Sequence, residues 1–186
     1  TIRDTLQLAR LRAEDHFKDD TLLRAGARML IAQAFRDQRM FRDAESLIRD
    51  AMTDLQEAAE TGASELHVRS RVALSGVLLA QGRREEALRE AEAAVEVQRR
   101  LSPGDVAMEL QARLARAECR AEPGEVESEA AAIFASSGGP GGDVVRAQGG
   151  ELCARVIGRS LERREESRRV WAETIAVADR GFESLD

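Results

Sequence analysis

Ala73-Leu74-Ser75-Gly76-Val77-Leu78-Leu79-Ala80-Gln81-Gly82-Arg83-Arg84-Glu85-Glu86-Ala87-Leu88 reads as the end of one helix, a tight turn and the start of another. The run from Ala73 to Ala80 is apolar or small and carries no charge. Gln81-Gly82-Arg83 then breaks it, and Glu85 and Glu86 put negative charge where the first turn of a new helix favours it. The spacing predicts a helix over 65–80 and a second over 84–101.

The same pattern extends in both directions. Apolar residues recur at steps of three and four in Ile2, Leu6, Ala9, Ala13 and Phe17, in Leu23, Ala27, Leu30 and Ala34, and in Phe41, Ala44, Leu47, Ile48, Ala51 and Leu55. That is the helical period, and strand-like alternation is absent. Punctuation falls between the runs: Asp19-Asp20-Thr21 as an N-cap, Gln38-Arg39-Met40 as a tight turn, and Thr61-Gly62-Ala63-Ser64 as a stop and restart. Downstream, Ser102-Pro103-Gly104 ends a helix and Asp105 caps the next, predicted over 106–121 and stopped by Glu122-Pro123-Gly124. A further helix runs to about 136, before the glycine-rich loop Ser136–Gly142. Two last helices, over 143–160 and 163–180 with Gly181 as the stop, bring the expectation to an all-α chain of about nine helices.

Composition agrees and excludes several classes of function. Of 186 residues, 43% are hydrophobic and 33% charged, enough to bury a core and too charged for a membrane protein. No apolar stretch reaches the roughly 18 residues that a bilayer requires. The net charge of -6, from 34 acids and 28 bases mixed along the chain, shows no basic patch for nucleic acid. No signal peptide precedes the first helix, so the cytoplasm is the expected compartment. Cys119 and Cys153 are too few for a disulfide framework and read as buried thiols. Lys18 is the only lysine and there is no Asn or Tyr, the codon bias of a GC-rich, bacterial genome.

Paired helices can form a bundle or a tandem repeat, and a fixed offset separates the two. Ala44, Ala87 and Ala130 stand 43 residues apart, each a small residue in the second helix of a pair. Four residues on come Ile48, Ala91 and Phe134, and seven on come Ala51, Ala94 and Ser137, all on one helical face. The stretch from Ala73 to Leu88 closely resembles a tetratricopeptide repeat: Leu74-Ser75 as its large-small pair, Leu78 as its bulky position, Gly82 as its turn, Ala87 and Ala94 as its small positions. Ile31-Ala32, Phe35, Phe41, Ala44, Ile48 and Ala51 match in an earlier unit. Leu114-Ala115 match in a later one, where Pro123-Gly124 lengthens the turn before Ala130. A fourth unit, around Ala154, Ser167 and Trp171, follows from spacing. The 43-residue length and Arg99-Arg100-Leu101-Ser102-Pro103-Gly104-Asp105-Val106-Ala107 are similar to the longer subgroup found in kinesin light chains and bacterial regulators.

The resemblance implies a right-handed superhelix whose first helices line a concave groove for peptides. It divides a single repeat domain, 1–186, into a second helix of a preceding half-repeat at 1–19, repeats at 20–62, 63–104 and 105–142, and a divergent or capping pair at 143–186. A leading half-repeat suggests that the natural chain continues upstream as a larger protein.

Candidate chemistry is sparse. His16 lies among Glu14, Asp15, Asp19 and Asp20 without the second spaced His or Cys that a metal site needs, and reads as a surface helix end. His67 has no Ser or Cys nucleophile near it in sequence. Glu85-Glu86 and Glu165-Glu166 sit in helix first turns, which favours a dipole role over acid-base work. Gly138–Gly142 lacks the Lys and Ser or Thr of a phosphate loop. No metal, no cofactor and no enzymatic activity are expected. Inward-facing positions of the expected groove are Gln33 and Arg36, then Arg69, Val72 and Leu79, then Arg113, Arg116 and Arg120. Such arginines suit an acidic peptide or a C-terminal carboxylate, or else solvate an exposed face and pair with neighbouring acids. The expected function is a protein-interaction scaffold. The alternative is a ligand-sensing domain that controls an attached effector domain.

Overall fold

The computed structural model describes residues 1–57, 64–101, 104–136, 142–157 and 163–183, and among these the chain is all α. Nine helices follow in order: α1 (Ile2–His16), α2 (Thr21–Asp37), α3 (Phe41–Glu57), α4 (Ser64–Ala80), α5 (Arg84–Leu101), α6 (Val106–Cys119), α7 (Pro123–Ala135), α8 (Gly142–Ile157) and α9 (Arg164–Glu183). Consecutive helices pack as neighbours within two compact units, Thr1–Ser102 with α1–α5 and Pro103–Asp186 with α6–α9. Thr61–Ala63, Ser102-Pro103 and Ser137–Gly141, expected as breaks, lie outside the described residues.

In the first unit α2 packs on α3 and α4 on α5, while α3 joins the two pairs and α2 also touches α4. Asp20 caps α2 by accepting a hydrogen bond from the Leu23 amide at 2.9 Å. The two turns are built alike. Met40 N–H donates to Phe35 O and Arg39 N–H to Arg36 O; Arg83 N–H donates to Leu78 O and Gly82 N–H to Leu79 O. This doubly bonded helix end needs one residue in the left-handed region. Gly82 takes it at φ 79°, and Arg39 takes it at φ 59°.

The core follows the repeated positions. Ala44, Ala51, Ala87, Ala91 and Ala94 are fully buried and let paired helices approach, while Phe35, Ile48, Leu74 and Leu78 fill the space between them. On α2 the periodicity marks the wrong stripe. Leu23 and Leu30 are 55% and 75% exposed, and the buried face is Ala25, Ala32 and Phe35 with Leu22 and Met29 beside it.

In the second unit α7 packs on α6 and α8, and α8 on α9. Its core joins Leu110, Leu114, Val126, Ile133, Leu152 and Ile157. Asp105 caps α6 through the Met108 amide at 3.0 Å. The helix stops at Cys119, and Pro123 opens α7 instead of lengthening the turn. Proline suits the first helical position because its missing N–H would have no partner there. The 43-residue step from Arg84 lands on Glu127, four residues inside α7, so Val126 and not Ala130 takes the place of Ala44 and Ala87. Ala130 instead matches Ile48 and Ala91, and is fully buried. The helix expected to end at Gly181 continues to Glu183.

Gly149 and Gly150 are required by close packing. A Cβ on Gly149 would sit 2.8 Å from Ile133 Cγ2, and one on Gly150 would meet Thr174 Oγ1 and Phe134. Ser167 Oγ donates to Ala154 O at 2.9 Å, joining α9 to α8.

Candidate interaction surface

In the first unit, Leu23, Gly26, Leu30, Gln33 and Asp37 recur at steps of three and four, which sets them on one face of α2. Leu66, Arg69, Ala73, Gly76 and Ala80 hold the corresponding positions on α4, 43 residues later. Met29, Gln33 and Arg36 share a small depression with Ala73, so these faces adjoin. A Cβ added to Gly26 or Gly76 would meet no atom within 4 Å. The result is a surface with small residues at Gly26, Ala73, Gly76 and Ala80, an exposed leucine pair on one side, and Asp37 and Arg69 as its charged members.

The residues expected in a groove are distributed unevenly. Gln33 is exposed and its amide donates to Asp37 at 2.8 Å; the Arg36 guanidinium lies 3.8 Å from the same carboxylate. Arg69 is exposed and pairs with Glu65 at 3.0 Å. Val72 and Leu79 are half-buried on the flanks of α4. Leu30, the most exposed large apolar residue described, belongs to the apolar run Leu23, Ala27, Leu30 and Ala34 and lies on the surface.

Arg113, Arg116 and Arg120 belong to the second unit and are occupied by acids of α7. Arg113 Nε and Arg116 Nη2 donate to one Glu129 oxygen at 2.8 and 3.0 Å, and Arg120 donates to Glu125 at 2.8 Å. Burial raises the Glu129 pKa, but the bonds and charges of Arg113 and Arg116 outweigh it and hold the carboxyl below its ordinary value.

Two ionic features escaped the sequence. Asp54, 4% exposed, receives Arg24 at 2.8 Å and Arg28 at 2.6 Å. Arg24 also donates to Lys18 O at 2.7 Å, so one guanidinium fastens the turn after α1 to α2 and α3. The residues involved lie about thirty apart in sequence, a separation with no helical or motif signature. The second feature had a signal. Arg83-Arg84-Glu85-Glu86 and Arg163-Arg164-Glu165-Glu166 are identical tetrapeptides. Arg83 bridges Glu86 and Glu45 of α3, and Arg163 bridges Glu166 and Glu127 of α7, each with ion pairs of 2.6–2.7 Å. Glu45 and Glu127 are each the fifth residue of their helix, so both units use the same tie between second helices.

The remaining candidates hold little chemistry. The His16 ring lies edge-on to Phe17 at 4.9 Å. Cys119 and Cys153 are buried thiols, and burial pushes the Cys153 pKa up. Among the described residues no three His, Cys, Asp or Glu side chains gather as a metal set, and no helix is long and apolar enough to cross a membrane. No known family model matches the chain, and no curated protein matches its sequence.

Proposed function

We propose that this chain is a protein-interaction scaffold of the tetratricopeptide kind, bacterial and cytoplasmic, which holds a protein or peptide partner on the first helices of its first unit. The observation that carries the reading is Leu30. It is 75% exposed on the same face as Leu23, while the core beneath α2 is filled by Ala25, Ala32 and Phe35 without it. Leucines that a core does not use, beside small residues on an adjoining helix, favour a binding surface. Gln33, Arg36 and Arg69 would supply the polar rim, with Val72 and Leu79 on the flanks. Arg113, Arg116 and Arg120 would take an incoming carboxylate only by exchange with Glu125 and Glu129, which gives them the lesser part.

The test is quantitative affinity capture with the wild-type chain and a Leu23→Glu/Leu30→Glu variant. Retention of helix content and melting temperature shows that the variant is folded. Loss of the captured partners supports the reading, and an unchanged set removes this face from it.

A further inference from the structure

The first unit carries a second concavity, lined by other residues than the leucine face. It has a volume of about 580 Å³ and is lined by Arg3 of α1, by Arg39, Met40, Arg42 and Asp43 around the α2–α3 turn, and by Gln81 of the α4–α5 turn. Its charges are not balanced internally. Arg3 pairs with Asp43 at 3.0 Å, and Gln81 is committed to Phe41 O and Glu45. Arg39 and Arg42 are exposed and, among the described residues, have no carboxylate partner. Three guanidinium groups against the single carboxylate of Asp43 leave two positive charges facing one opening.

That excess decides the ligand class. A carboxylate would neutralise only one of the two charges, whereas a phosphate monoester carries about 1.5 to 2 negative charges near neutral pH and three acceptor oxygens. Guanidinium groups suit those oxygens because their planar forks donate two parallel hydrogen bonds. Met40 and Phe41 add an apolar wall on one side. We propose that this concavity binds a phosphate group, free or as a monoester, through Arg39 and Arg42 with Arg3 in support. The site shares none of its residues with the leucine face, so either can stand if the other fails.

The experiment is a titration of the ¹⁵N-labelled chain with inorganic phosphate and, separately, O-phosphoserine, at low ionic strength and matched against sodium chloride and acetate. Saturable shifts of the Arg42, Asp43 and Gln81 amides with phosphate, beyond those seen in chloride or acetate, are expected. Arg39→Gly relieves the left-handed backbone while removing the guanidinium, and Arg42→Gln keeps a polar side chain. Each should weaken binding by about tenfold, the effect of losing roughly one charge-assisted hydrogen bond. Arg12→Gln, an exposed arginine on α1 outside the concavity, should leave it unchanged. Tighter binding of O-phosphoserine would assign a monoester, and tighter binding of inorganic phosphate the free ion. Shifts that grow without saturating, that acetate or chloride reproduces, or that persist in both arginine variants would overturn the assignment.

Discussion

Replacing Leu78 by Ala tests the packing of the first unit most sharply, because Leu30→Ala supplies its own control. Leu78 is fully buried near the end of α4, at the position that Phe35 holds on α2. The change removes three carbons, which at about 0.8 kcal/mol each amounts to about 2.4 kcal/mol of lost transfer free energy. The hole left behind adds to this, and comparable leucine truncations span about 2.7–5.0 kcal/mol. We expect about 3–4 kcal/mol from urea denaturation followed by circular dichroism, with an unchanged dependence on urea. Leu30→Ala removes the same atoms from a side chain that is 75% exposed and should cost under about 0.5 kcal/mol, the range of ordinary surface changes. Equal effects from the two variants, or a larger one from Leu30→Ala, would show that the inner and outer faces of these first helices have been exchanged.

Three further outcomes follow from particular contacts. Asp54→Asn strands two part-buried arginines and should lower stability by about 3–5 kcal/mol in the same denaturation assay, whereas a loss under 1 kcal/mol would mean that the cluster is solvated. Gly82→Ala should cost about 1–2 kcal/mol because an L-residue is forced to φ 79°, although nothing occupies the space its methyl would enter; a neutral melt would contradict the backbone argument. Burial raises the Glu45 pKa, but its bonds from Gln81, Arg49 and Arg83 outweigh that effect, and both Glu45 and Glu129 are held below the ordinary carboxyl value of 4.5. Their contribution is therefore present above about pH 4.5 and is lost as pH falls through the lower folded values. A Glu45→Gln/Glu129→Gln variant should show a flatter decline in melting temperature between pH 5 and 3 than the wild type, and parallel curves would count against these ion pairs.

Much of the architecture could be read from residue order because helix stops are local. Asp20, Gly82 and Asp105 act within a few residues of themselves, and the structure uses each where its chemistry places it. Which face turns inward is a different matter. Between Leu22 and Phe35 apolar residues occur on every side of α2, so period alone admits two stripes, and contacts with α3 and α4 choose between them. The exposed leucines were hidden for that reason. Pro123 misled in another way, because proline both ends helices and begins them. The α6 arginines were correctly placed on a helix, but their engagement with Glu125 and Glu129 depends on how α7 packs. Distances of this kind arise from tertiary contacts, as does the Arg24–Asp54 tie.

The central claim is that the exposed leucine face of α2 holds a protein partner. It is tested most directly by comparing partners captured by wild-type chain with those captured by Leu23→Glu/Leu30→Glu, with both proteins shown to be folded and the recovered proteins quantified by mass spectrometry. Partners that bind the wild type should be depleted at least about tenfold on the variant, equivalent to about 1.4 kcal/mol of lost affinity. Identical recovery on the two would contradict it.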